Sequence, residues 1–357
     1  MYGCRSSCQS DQNRHFVELS KTDTASIKGI AILLMLWHHL FLDAPGFGTF
    51  THSLAIVSKV CVALFLFVSG YGLTKQYGGL VRRTVKSTAK LLGRRFVSFF
   101  LQYWFCFFLV VLIGNLCGYS FHDAYPATRN TLKCFILDFF GQMGYSSYLK
   151  AWWFNKMIIQ LWIIFPVLYL IVSNKYSAMA GLIAIVFIQL YAKSLPGNVF
   201  FLVEGGTPAF YLGMFTARHS LSLGKHQHTW RIISLTIAVL MILGLCLLLL
   251  KVIKDPYQAI LLRALLAFCI VYALKACQGS NVSVLGFIGK YATIMYLTHV
   301  LLLVLIPGIN SFMKYSLPVF LVFVIACLAI AMIINWLEKV SRFDELRLAL
   351  VARINSL

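Results

Sequence analysis

The 357-residue chain is 60 % hydrophobic and only 12 % charged, with a mean hydropathy of +0.82. A water-soluble domain carries about twice that share of charge, so a soluble enzyme, a disordered chain and a nucleic-acid binder are excluded as the main role. The net charge of +20, from 31 Lys and Arg against 11 Asp and Glu, points instead to basic loops held at an anionic membrane face.

Residues 1–25 are polar and lack an apolar core, so no cleavable secretion signal is expected, and the first membrane helix itself directs insertion. A spanning helix needs about 20 mostly apolar residues. That rule predicts an all-α polytopic bundle of ten spans, at 26–43, 54–74, 95–117, 152–173, 177–193, 199–217, 231–251, 258–276, 283–306 and 315–337. The expected organisation is a polar tail (1–25), the bundle (26–338) and a basic tail (339–357). The sixth span is interrupted by Glu204, Gly205, Gly206 and Pro208, residues tolerated only inside a bundle.

Basic residues set the orientation. Lys75, Arg82, Arg83, Lys86, Lys90, Arg94 and Arg95 crowd the connection between spans two and three, and Lys339, Arg342, Arg347 and Arg353 follow the last span. Ten spans with these segments inside put both termini in the cytoplasm. Five more basic residues, Lys28, Lys59, Lys156, Arg263 and Lys290, lie within spans or at their edges. The cysteines fall mostly in apolar runs with no CxxC spacing, so neither a metal site nor a disulfide framework is expected.

The longest outer connection, 118–151, carries an apolar patch from Cys134 to Phe140. It either lies in the interface to guide an acceptor or packs against the bundle rim. Trp152 and Trp153 read as interface anchors in preference to a sugar-stacking platform.

Span one concentrates the polar signal. Lys28 and His39 are eleven positions apart, about three helical turns and 16 Å of rise, so they share one face. Asp43, four positions further, falls again on that face and is placed to accept a hydrogen bond from His39 and fix its tautomer. Ionisable groups in a bilayer are costly and mark function. Lys156, Glu204 and His299 gather toward the same outer half, which suggests a polar cavity able to take a hydroxylated acceptor. The other reading is a Lys156–Glu204 salt bridge that only locks helices.

Five segments in order resemble the integral-membrane acyltransferase family 3 over residues 20–338. They are IKGIAILLMLWHHLF (27–41), with Lys28, ten intervening residues and His39; FLFVSGYGLTK (65–75); RRFVSFFLQYW (94–104); AWWFNKMIIQLWIIFP (151–166); and GKYATIMYLTH (289–299). The family usually has Arg or His where Lys28 stands, and a second arginine where this chain has Ser98. Lysine keeps the charge but loses the bidentate fork.

The resemblance implies an acyl donor from the cytosol, acetyl-CoA or another acyl-CoA, and a glycan or other hydroxylated acceptor at the outer face, in a multi-pass protein of the cell membrane, bacterial inner or cytoplasmic. His39 is then the catalytic group, as general base or transient acyl carrier, with Asp43 orienting it. Lys28, Arg94 and Arg95 hold the donor phosphates, and Glu204, His299 and Lys156 meet the acceptor. A proton-coupled transporter using His39, Asp43, Glu204 and His299 as a relay is the competing class, though no inverted halves are detectable.

Overall fold

A computed structural model describes residues 18–125, 130–191, 206–219, 227–276, 283–308 and 314–356. The helices in chain order are α1 (Lys21–Phe41), α2 (Gly48–Ser58), α3 (Val60–Gly78), α4 (Val85–Leu116), α5 (Phe121–Ala124), α6 (Thr131–Phe139), α7 (Trp153–Val172), α8 (Lys175–Leu190), α9 (Thr207–Arg218), α10 (Gln227–Lys251), α11 (Pro256–Ala276), α12 (Ser283–Leu305), α13 (Ser316–Val340) and α14 (Phe343–Ser356). No strand occurs among the described residues, and the protein is an all-helical membrane bundle.

Every expected span meets a helix. Eight helical stretches among the described residues are long and apolar enough to cross a membrane, with α2 and α3 forming one of them around Lys59. The expected fifth and sixth spans are α8, of 16 residues, and α9, of 12. Twelve residues rise about 18 Å, well short of the roughly 30 Å hydrocarbon layer. Glycine in the left-handed region at Gly206 (φ 59°) and Pro208 in the first turn start α9 late.

Local sequence sets the other ends. Ser20 with Asp23 and Thr84 with Ser87 form reciprocal capping boxes that open α1 and α4. Alternating helix direction gathers Lys75, Arg82, Arg83 and the C-terminal helix at one end, the basic end. There α14 turns back after Arg342 (φ 57°) and packs on α4. Arg347 Nη1 donates to Gln102 Oε1 at 2.8 Å, and Gln102 Nε2 donates to the buried Glu338 at 2.6 Å. The expected basic tail is thus a docked helix.

The bundle is drawn together at two glycine crossings. Gly29 of α1 lies against the carbonyl of Leu285 and Gly289 of α12 against that of Ala25; Gly70 of α3 meets the carbonyl of Phe210, and Gly213 of α9 that of Phe67. Absent side chains let the backbones touch, the usual route to tight helix association in lipid. These two pairs are also the most extensive helix contacts in the molecule.

At the far end, residues 118–125 and 130–149 form a cap. The Cys134–Phe140 patch is helix α6, and it packs on the rim. Trp104 stacks on Phe139 at 4.7 Å and donates its indole N–H to the Phe139 carbonyl at 2.8 Å. Under the cap, Asp138 is fully buried: Tyr148 N–H donates to it at 2.5 Å and Tyr125 Oη at 3.2 Å, while its Oδ1 has no partner. Burial pushes the Asp138 carboxyl up to about 6, against the lowering effect of these donors.

Candidate active site

Lys28 and His39 belong to the same unbroken α1, and His39 faces protein. It lines a cavity of about 250 Å³ among α1, α3, α4, α7 and α12. It has no hydrogen-bond partner among the described residues, so its ring nitrogens are open to a ligand. His38 behaves differently. Its Nδ1 lies 2.7 Å from the Ala55 carbonyl oxygen; since that oxygen only accepts, Nδ1 carries the hydrogen. His38 thereby ties α1 to α2.

The expected partner of His39 is replaced. α1 ends at Phe41, and Asp43 sits in the following turn, exposed and making no hydrogen bond to His39. The shared-face argument needs helix through residue 43, and the helix stops two residues short. The group that meets His39 is His299 of α12, with ring centroids 4.9 Å apart. His299 Nδ1 lies 2.8 Å from the Tyr296 carbonyl oxygen, so it is protonated, and the lone pair of Nε2 is buried without a partner. Among the described residues no hydrogen bond joins the two rings, so His299 meets His39 by ring packing alone.

Beside the pair, Tyr296 Oη donates toward Asn155 Oδ1 at 3.0 Å and lies 3.1 Å from the Ala151 carbonyl. Asn155 is buried and lines the cavity, and its Nδ2 has no partner. A buried amide donor left unpaired beside a cavity is costly and is available to an incoming oxygen. Asn155 was missed because a single amide in an apolar run has no distinguishing spacing.

Toward the basic end the cavity reaches Ser69 and Trp162. Arg95 Nη2 donates to Ser69 Oγ at 2.9 Å, and its guanidinium stacks over the Trp162 ring at 4.7 Å. Lys28 is exposed and within electrostatic reach of Arg95, and Arg94 is half-buried. Toward the far end the cavity is walled by Trp153 and Tyr145, stacked 5.0 Å apart.

Both tryptophans depart from the interface-anchor expectation. Trp153 is cavity wall. Trp152 is core, 1 % exposed, its indole donating to the Leu297 carbonyl at 3.0 Å. Lys156 is exposed and points beside Gly144, away from the cavity lining. Glu204, and with it the expected Lys156–Glu204 pair, lies outside the described residues. No group of three metal-ligating side chains occurs among the described residues.

A protein-family model described as an acyltransferase domain, that of the acyltransferase 3 family, matches residues 26–336. No curated protein and no solved structure matches the chain.

Proposed function

The chain belongs to the acyltransferase 3 family, and from that premise we propose that this membrane acyltransferase moves an acyl group, acetyl in the simplest case, from cytosolic acyl-CoA to a hydroxyl of a glycan or related acceptor. The observation that carries the reading is His39 itself. Its imidazole lines a cavity that also includes Ser69, to which Arg95 donates, and the stacked rings of Tyr145 and Trp153.

In this reading the basic end is cytoplasmic, as the positive-inside rule requires. The donor phosphates rest on Lys28, Arg94 and Arg95 while the thioester reaches up past Ser69. Arg95 is held by Ser69 and Trp162, so its charge is already positioned before the donor arrives.

The acceptor hydroxyl enters from the far end and hydrogen-bonds to His39. His39 removes the hydroxyl proton as the oxygen attacks the thioester carbonyl carbon. The new C–O bond forms, the C–S bond breaks, and the departing thiolate takes the proton back from the imidazolium. In the covalent variant, the imidazole nitrogen attacks first, releases the CoA thiol, and passes its acyl group to the hydroxyl. Asn155 Nδ2 supplies a hydrogen bond to the acceptor in either case.

A proton relay finds less support. Among the described residues no carboxylate hydrogen-bonds to His38, His39 or His299. Membranes containing the protein and given acyl-labelled acetyl-CoA test the proposal. Label passes to an ester-linked acceptor, and the transfer is lost in His39→Ala. Solute movement with the acetyl-CoA pool untouched overturns it.

A further inference from the structure

A second cavity, of about 190 Å³, adjoins the first and shares Lys59, Val62, Tyr145 and Trp153 with it. Its lining includes Pro256 and Tyr257 at the start of α11 and Arg263 further along the same helix. Lys59 sits at the joint between α2 and α3, on the shared wall of both cavities. Lys59 and Arg263 both line the second cavity, and Lys59 also lines the first together with His38 and His39.

Among the described residues no Asp or Glu forms a salt bridge with Lys59 or Arg263, and Arg263 Nε is enclosed without any partner. By contrast, Lys75 meets Glu18 at 2.8 Å and Lys275 meets Asp23 at 2.9 Å. Two like charges inside a bilayer, uncompensated and facing a cavity, cost free energy that a neutral ligand does not recover. The charged groups on these walls are an ammonium and a guanidinium, set beside the rings of Tyr145, Trp153 and Tyr257.

We propose that Lys59 and Arg263 bind an anionic group, carboxylate or phosphate, carried by the acceptor, and thereby hold its hydroxyl at His39. This rests on the acyltransferase reading for the identity of the ligand as acceptor; the anion site itself does not. Guanidinium and ammonium together match an oxyanion with two or more acceptor oxygens. The anion is either part of a soluble acidic sugar or the phosphate of a lipid headgroup.

The test uses the full chain in nanodiscs of phosphatidylcholine, with equilibrium dialysis of labelled glucuronate, glycerol 3-phosphate and glucose. The two anions bind saturably, at concentrations where glucose does not, and raised salt weakens them. Lys59→Gln and Arg263→Gln each lower anion affinity about tenfold or more. Glucose binding as well as glucuronate, or salt without effect, overturns the proposal on the unaltered protein alone, so it stands or falls even if a variant fails to fold. Folded variants that bind anions like the parent overturn it too.

Replacing part of the phosphatidylcholine with phosphatidylglycerol separates the sources. Displacement of glucuronate supports a headgroup phosphate, and undisturbed binding supports a soluble acidic acceptor. Protein that binds the anions but leaves labelled acetyl-CoA intact refutes the transferase reading only. Protein that consumes acetyl-CoA without charge preference refutes the anion site only.

Discussion

His39 and His299 meet ring to ring at 4.9 Å, and each lies ten positions beyond a glycine, Gly29 and Gly289, at the crossing of α1 and α12. The equal offset follows from two helices that run side by side in the same direction. Closing the backbones at the glycines keeps the two imidazoles in register at about 15 Å further along. The crossing therefore positions the pair.

Replacing His299 by Phe keeps a ring packed against His39 and removes the imidazole nitrogens. Acyl transfer is expected to fall by about 10²-fold, the lower part of the range for losing acid–base positioning, with little change in thermal unfolding. Transfer of labelled acetyl in membranes, compared with His39→Ala, checks this. Equal rates in His299→Phe and parent would remove His299 from the site.

A methyl group at position 289 collides with the Ala25 carbonyl, whereas one at 286 meets only Ser26 Oγ at an ordinary 3.6 Å. Gly289→Ala is expected to cost about 1–3 kcal/mol, typical of overpacking, and to lower transfer by separating the histidines. Gly286→Ala is expected to do neither. Thermal unfolding in detergent and the transfer assay, run on both variants, decide the matter.

Arg95→Lys keeps the charge but gives up the stacked plane over Trp162 and the fixed bond to Ser69. The expected result is a KM for acetyl-CoA raised about tenfold with kcat reduced less, since the lost interaction serves binding more than the chemical step. A change confined to kcat would place Arg95 elsewhere in the cycle.

Asp138 binds its proton more tightly in the folded protein, because burial lifts it to about 6 from an ordinary 3.8. An acid whose pKa is raised by folding stabilises the native state least when ionised. Stability of the cap is thus greatest below about pH 4, falls as pH climbs through 6, and levels off above it. The span of the effect is at most about 3 kcal/mol. Asp138→Asn keeps an acceptor for Tyr148 and Tyr125 and is expected to flatten the melting temperature between pH 4 and pH 7.

The fold was largely legible because apolar length is a one-dimensional property: each stretch that predicted a span meets a helix. The departures are equally physical. α8 has 16 residues and α9 has 12, and apolar pattern alone does not set where a helix begins or ends. Asp43 was assigned to the His39 face by extending α1 two residues past its end. Trp152 looked like an interface anchor, but its indole finds the Leu297 carbonyl inside the protein.

The amino-acid sequence by itself determined that this chain is a membrane bundle, that the first helix carries a cation and an imidazole on one face, and that its segments follow the acyltransferase 3 order. Those are properties of composition and of a single helix. Only the tertiary structure decided what surrounds His39: His299 in place of Asp43, the orphaned amide of Asn155, and Lys59 set beside Arg263. These residues are far apart in the chain and become neighbours through helix packing, which glycine crossings set and no local spacing records.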